Sequence, residues 1–306
     1  MSALEAVLLT IITASTPLLL AAVGELVTER SGVLNLGVEG MMIMGAVSGF
    51  AAAYTTGSAA VGVMAAIGTG IAMALLFAFL TQTLAANQMA TGLALTLFGI
   101  GLSGLVGKPF TGLPGVKLGA VHVPGLSGLP LVGPVLFGQD LLVYSSIAIT
   151  VFVAWMFSRT RLGLVIRAVG ANHHSAHALG YDVAAVRYGC IAFGGACAGL
   201  AGGYLSLVYT PQWIENMTAG RGWIALALVV FATWSPNRVA VGAYLFGAVW
   251  IMGLYAQGIG VTIPPQFLAS LPYLVTIGAL LAISGNRILT KVNSPACIGQ
   301  TFVPDR

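Results

Sequence analysis

The chain has 306 residues, of which 58% are hydrophobic and only 7% charged, with a formal net charge of +4. An ordinary soluble domain is about 25% charged, so this composition excludes a soluble globular protein and leaves an integral membrane protein. The net charge itself is weak evidence of a partner; the lipid bilayer is the expected environment, and no nucleic-acid partner is expected.

A helix needs about 20 mostly apolar residues to cross the hydrocarbon core. Windows of this kind run over 3–23, 36–54, 59–80, 90–107, 141–158, 188–208, 223–234, 240–257 and 271–285, nine in all, some of them short or glycine-rich. The first has no basic segment ahead of it and no small-residue cleavage site behind it, so a retained helix is expected. Between the first two windows, residues Gly24 to Gly40 hold three of the eight acidic residues of the chain, Glu25, Glu29 and Glu39. Asn87, Gln88 and Thr91 open the fourth window, where a helix cap or pathway lining is expected. The 108–140 stretch repeats Pro and Gly and predicts an ordered cap outside the membrane.

Arg159, Arg161, Arg167 and Arg187 crowd one inter-helix segment, Arg238 sits in a short later loop, and Arg287, Lys291 and Arg306 fill the tail. By the excess of Lys and Arg in cytoplasmic loops, these regions are expected inside. Residues 108–140, 209–222 and 258–270 are then expected outside, with Lys108 and Lys117 counting mildly against the first. A nine-span count puts the N-terminus outside, and one span more or fewer reverses it. Residues 158–187 read as two short helices broken at Gly170-Ala-Asn172, with small residues on the second. Such helices suit insertion into a partner's groove; an ordinary basic loop is the alternative. His173 and His177 share a helical face, and a solvated surface is a better reading than a metal site because no Cys and only Asp182 lie near. Trp213 and Trp223 flank a second polar break, where interfacial anchoring is the usual task of Trp. Cys190, Cys197 and Cys297 lack metal spacing and read as small buried residues.

The 41 glycines lie largely inside apolar windows, as in a bundle packed through small residues. No linker separates folded units, so a single membrane domain over 1–306 is expected. Polar breaks at Ser31 to Gly40 and at Asn216 to Gly222 occupy corresponding places in the two halves, a weak sign of an internal repeat. No phosphate-binding loop, His-Glu-x-x-His pair or Gly-x-Ser-x-Gly elbow occurs, so the chain is expected to be a non-enzyme. No catalytic residue, metal or cofactor of its own is expected.

Two segments carry a resemblance. Gly163-Leu-Val-Ile-Arg-Ala-Val-Gly-Ala-Asn172, followed by Ala176 and Leu179-Gly-Tyr-Asp-Val183, resembles the cytoplasmic coupling segment of the branched-chain amino acid and simple-sugar family of ABC importer permeases. Glu25 with Glu29-Arg-Ser-Gly-Val-Leu-Asn-Leu-Gly-Val-Glu-Gly40 resembles the subgroup that imports nucleosides. Gly220-Arg-Gly-Trp-Ile-Ala-Leu-Ala227 and Leu271-Pro-Tyr-Leu-Val-Thr276 agree with it. The resemblance implies an all-α polytopic membrane protein of about 8–10 transmembrane helices in a type II ABC-importer-like bundle, multi-pass in the bacterial cytoplasmic membrane. It implies as partners an ABC ATPase that holds the ATP and Mg, a second and paralogous permease chain, and a periplasmic or lipoprotein solute-binding protein. Arg167, Gly170, Asn172, Ala176 and Gly180 would seat in the ATPase. The family often has Pro after the coupling Asn, and His173 in that place is expected to loosen the turn without abolishing coupling.

For the solute, the expected contacts are Asn35, Glu39, Asn87, Thr91 and Trp223. Asn35 and Glu39 are four apart and share a face if helical, and an amide with an acceptor suits ribose hydroxyls and base edges. A carboxylate inside the membrane costs roughly 2.5–3.5 kcal/mol, so Glu39 is expected to face a wet cavity or a partner group. A structural role at the polar break is equally open for it and is preferred for Glu29. A simple sugar or a branched-chain amino acid is the alternative solute. A stand-alone secondary transporter leaves 158–187 unexplained.

Overall fold

A computed structural model describes residues 3–119, 132–258 and 294–303, together with Pro264, Phe267, Ser270, Leu274 and Gly278. Eight of the nine apolar windows appear as helices. They are α1 (Ala3–Arg30), α2 (Val38–Thr56), α3 (Ala59–Ala78), α4 (Gln88–Gly107), α6 (Leu141–Arg159), α9 (Val183–Tyr204), α10 (Arg221–Phe231) and α11 (Pro236–Gly258). Short helices α5 (Val132–Phe137), α7 (Arg161–Ala171) and α8 (His173–Ala178) complete the set. Apart from Leu274 and Gly278, the 271–285 window with its 271–276 motif lies outside the described residues, as do the basic residues Arg287, Lys291 and Arg306. The protein is an all-α polytopic membrane protein: six described helices are long and apolar enough to cross a membrane.

Polar side chains set where the helices begin. Asn87, Asp140, Thr160, Asn172 and Asp182 cap α4, α6, α7, α8 and α9, each accepting a bond from a backbone N–H in the first turn. Helices α1, α2 and α3 pack around α9 at the centre. Their approach is close enough to demand glycine: a Cβ on Gly45 would stand 2.5 Å from the Gly199 carbonyl oxygen. Both α3 and α9 end in a five-residue π turn, Phe79–Thr83 and Leu205–Tyr209.

The end of α1 touches the segment of α7 and α8, since the Gly170 backbone packs against the Arg30 carbonyl. Taking that segment as cytoplasmic, α1, 28 residues long and hence about 42 Å at 1.5 Å per residue, begins at the opposite face. The described part of the 108–140 segment lies at that opposite face. Its Gly115 and Leu118 N–H groups donate to the carbonyls of Pro211 (3.1 Å) and Leu207 (3.1 Å). Trp213 departs from the expectation of an interfacial anchor: it is buried under Gly107, whose missing side chain makes room for the indole. All three cysteines are buried and free, as read from their setting.

Candidate functional site

Two constellations emerge from the residues singled out by sequence. The first joins the two polar breaks. Glu39, in the first turn of α2, is buried, and its carboxylate reaches the start of α10. Oε1 accepts from the Thr218 hydroxyl (2.6 Å) and the Gly220 N–H (2.8 Å), and Oε2 accepts from the Gly222 N–H (2.6 Å). A carboxylate at a helix N-terminus meets unpaired N–H groups and the positive end of the helix dipole. The turn needs holding, because Asn216, Ala219 and Gly220 have φ of 57°, 47° and 82°. Only glycine fits at 222, where a Cβ would stand 2.6 Å from the Glu39 Cα. The opening motif and the Gly220 to Ala227 motif thus meet in space.

Asn35 is buried beside this latch. Its Oδ1 accepts from the Gly37 N–H (2.9 Å) and its own N–H donates to Glu25 Oε1 (3.3 Å), so it shapes the bend between α1 and α2. Glu29 accepts from the Trp234 indole N–H (2.5 Å), while Arg30 donates to the Trp234 carbonyl (2.7 Å). One residue of the α10–α11 bend, Trp234 with φ of 52°, therefore takes both neighbours. Asn87 is exposed and caps α4 through the Ala90 N–H (3.0 Å). Thr91 is half-buried and lines a cavity of about 280 Å³ with Leu76, Leu80 and Phe98. Trp223 is part-exposed on α10. The five expected solute contacts thus fall in different settings: two in the packed junction of the breaks, two along α4, one on the α10 surface.

The second constellation is the segment of α7 and α8. Its break falls at Asn172, whose Oδ1 caps α8 through the Ser175 N–H (3.0 Å). Gly170 and Ala176 face inward, Gly170 onto the Arg30 carbonyl and Ala176 onto Val169, Val183 and Phe302. Arg167, Asn172 and Gly180 are exposed, and Gly180 has φ of 87°, a left-handed geometry suited to glycine. Leu179, not among the expected coupling residues, is 78% exposed beside exposed Tyr181. Its signal was available, a large apolar residue in a polar segment directly before a glycine.

Arg187 departs most from its sequence reading. Counted as a loop charge, it is buried, and its guanidinium donates to the Ser31 carbonyl (3.3 Å), Gln82 Oε1 (3.3 Å), the Gln300 carbonyl (3.1 Å) and His173 Nδ1 (3.3 Å). Since Arg only donates, Nδ1 of His173 accepts, which fixes a neutral ring with its hydrogen on Nε2. Where the family often has Pro, His173 supplies this acceptor. The rings of His173, His174 and His177 lie 5.2, 5.8 and 5.4 Å from that of Phe302. They surround an aromatic ring, and His173, expected on a solvated surface, is buried.

Burial, then the Arg187 charge and that of His174, lowers the His173 pKa below its usual 6.5. The folded state therefore favours the neutral ring, and the stability this gives is full above pH 6.5 and lost as pH falls toward the lowered value. The thermal midpoint of the purified protein is expected to drop on acidification from pH 7.5 to 5.5, with His173→Gln flattening that drop. An equal drop in both proteins would refute the assignment.

The profile of the branched-chain amino acid transport system / permease component family matches residues 7–284. TsgC13 of Haloferax volcanii, whose name assigns it provisionally as a glucose ABC transporter permease protein, is 42% identical over 87% of this chain and 88% of its own. The nucleoside ABC transporter permease protein NupC of Lactococcus lactis is 30% identical, and the guanosine ABC transporter permease protein NupQ of Bacillus subtilis 29%, each over 91% of this chain and 92% of its own. No solved structure matches the chain significantly. A bundle of apolar helices that turns its α7–α8 corner outward, matched by this profile over nearly its whole length, belongs to the branched-chain amino acid transport system / permease component family.

Proposed function

We propose that the chain is the transmembrane subunit of an ATP-driven importer in a cytoplasmic membrane, with α7 and α8 seated in a partner ATPase that holds the ATP and Mg. A second permease chain completes the pathway and a solute-binding protein delivers the solute. The observation that carries this reading is the α7–α8 corner. It presents Arg167, Asn172, Leu179 and Gly180 outward while Gly170 and Ala176 fasten it to the membrane helices. A groove that accepts a helix is expected to take an apolar anchor with small flanking residues, and Leu179 beside Gly180 fits. In support, relatives similar over about nine-tenths of the chain are named ABC transporter permeases. Two chains of Haloferax volcanii, TsgC13 and TsgB13, are both similar to this one, which fits a paralogous pair.

The proposed solute carries a sugar ring and no net charge. At the junction of the breaks, both oxygens of Glu39 are engaged by the chain's own donors, which does not leave this carboxylate for an amino-acid ammonium. The opening motif favours a nucleoside, and relatives named for nucleosides agree. A hexose is the second reading, favoured by the relative that is 42% identical. Reconstitution with the ATPase, second permease and binding protein tests both. Uptake is expected to require ATP and to be competed by nucleosides but not by leucine; competition by glucose alone selects the second reading. Uptake without the ATPase would overturn the importer assignment.

A further inference from the structure

One further segment touches both the α7–α8 corner and the bend between α1 and α2. Residues 294–303 lie across the cytoplasmic face. The Cys297 N–H donates to the Gly170 carbonyl (2.9 Å) at the end of α7, and the Gly299 N–H donates to the Gly32 carbonyl (3.1 Å) in the α1–α2 bend. The Gln300 carbonyl accepts from Arg187 of α9 (3.1 Å) and from Gln88 of α4 (3.3 Å), while Gln88 Oε1 accepts from the Leu34 N–H (2.8 Å). Phe302 closes the set by inserting among the three histidines of the α7–α8 corner and onto Val169, Ala176 and Val183. Gly299, with φ of 75°, makes the turn that lets one short segment face both sides.

We propose that this segment is a clasp that makes the corner, the α1–α2 bend and the starts of α4 and α9 move as one body, so that ATPase motion reaches the helices. The inference rests on the importer reading above. Direct contact between the corner and the bend is narrow. Gly170 meets Arg30 and Gly32 only through backbone, as a close approach with no side chain of its own. A push on α8 without the clasp would bend the chain at Asn172, where no helical hydrogen bond crosses from α7 except the Asn172 N–H to the Ala168 carbonyl (2.9 Å). Phe302 bridges that joint from outside, touching Val169 before it and Ala176 after it. Coupling needs such a two-ended contact, because an equilibrium in the bundle shifts only as far as the two states differ in contacts with the moving part. The clasp residues are thus positioning residues, and none of them need touch solute or nucleotide.

The test uses the full assembly in liposomes and reads solute transported per ATP hydrolysed. Phe302→Ala is expected to leave the ATPase bound and ATP hydrolysis within about twofold, while uptake falls tenfold or more, a difference of about 1.4 kcal/mol in transmission. Phe302→Leu, which keeps apolar bulk, is expected to restore most of the ratio. An unchanged ratio in Phe302→Ala would overturn the clasp. If Phe302→Ala does not assemble, maleimide labelling of Cys297 in the unaltered protein decides instead. Labelling as slow as that of buried Cys190, both with and without ATP trapped on the ATPase, supports a clasp that stays closed; a tenfold rise on ATP binding refutes it. Failure of the unaltered chain to retain any ATPase is a different outcome, since it removes the importer reading on which the clasp rests.

Discussion

Glu39→Ala is expected to be the most damaging single substitution in the chain. It removes three hydrogen bonds at once and leaves the Gly220 and Gly222 N–H groups and the Thr218 hydroxyl without their partner. A bond to a charged group contributes about 1.5–3 kcal/mol, and three bonds that share one carboxylate do not add. A total of roughly 3–5 kcal/mol is expected, by analogy with breaking a buried charged contact from one side. The measurement is the yield and thermal midpoint of the purified protein in detergent. Glu39→Gln keeps the shape and one acceptor but turns an NH₂ toward a donor, so it should fall between Glu39→Ala and the unaltered protein. A Glu39→Gln protein of full stability with altered solute preference would instead place this carboxylate in the solute pathway.

Gly170→Ala is expected to separate transport from stability. A Cβ at this position collides with the Arg30 carbonyl and stands 3.1 Å from the Gly32 nitrogen, so α7 must lift from the α1–α2 bend. Overpacking of this kind costs about 1–3 kcal/mol, which a bundle of this size should survive. The same displacement breaks the Cys297 to Gly170 contact of 2.9 Å. Uptake should therefore fall at least tenfold in the assembled transporter, while the solute-binding protein still binds solute and the chain still purifies. Normal uptake would show that the corner transmits nothing through Gly170.

Much of the architecture is legible in the sequence because hydropathy and capping are local. The long apolar runs mark eight helices to within several residues, and Asn87 caps α4 as one of its two expected roles, whereas Asp140, Thr160 and Asp182 emerge as caps only in the structure. The break at Asn172 was readable because its signal is local. Arg187 was not, because a count of basic residues assigns each to a loop, whereas this one is buried among four acceptors from separate parts of the chain. Trp213 misled in a similar way: its burial depends on Gly107, more than a hundred residues away. The segment 294–303 carries neither hydropathy nor helical period, and its backbone contacts leave no trace in side-chain pattern. Of the expected solute contacts, Asn35 lies in the non-helical break and Glu39 in the first turn of α2, so the two do not share one helical face. Their partners in the bend and in α10 could not be read from spacing.

The latch between the two breaks also constrains how the chain is made. Thr218, Gly220 and Gly222 follow Glu39 by 179, 181 and 183 residues. At a synthesis rate of about 5–20 residues per second, the carboxylate exists for roughly 10–35 s before its donors do. Through that interval Glu39 has none of the three donors that receive it in the finished protein. Closure of the contact between the two breaks is therefore a late event in the making of the chain, since it waits for the second half of the protein to exist.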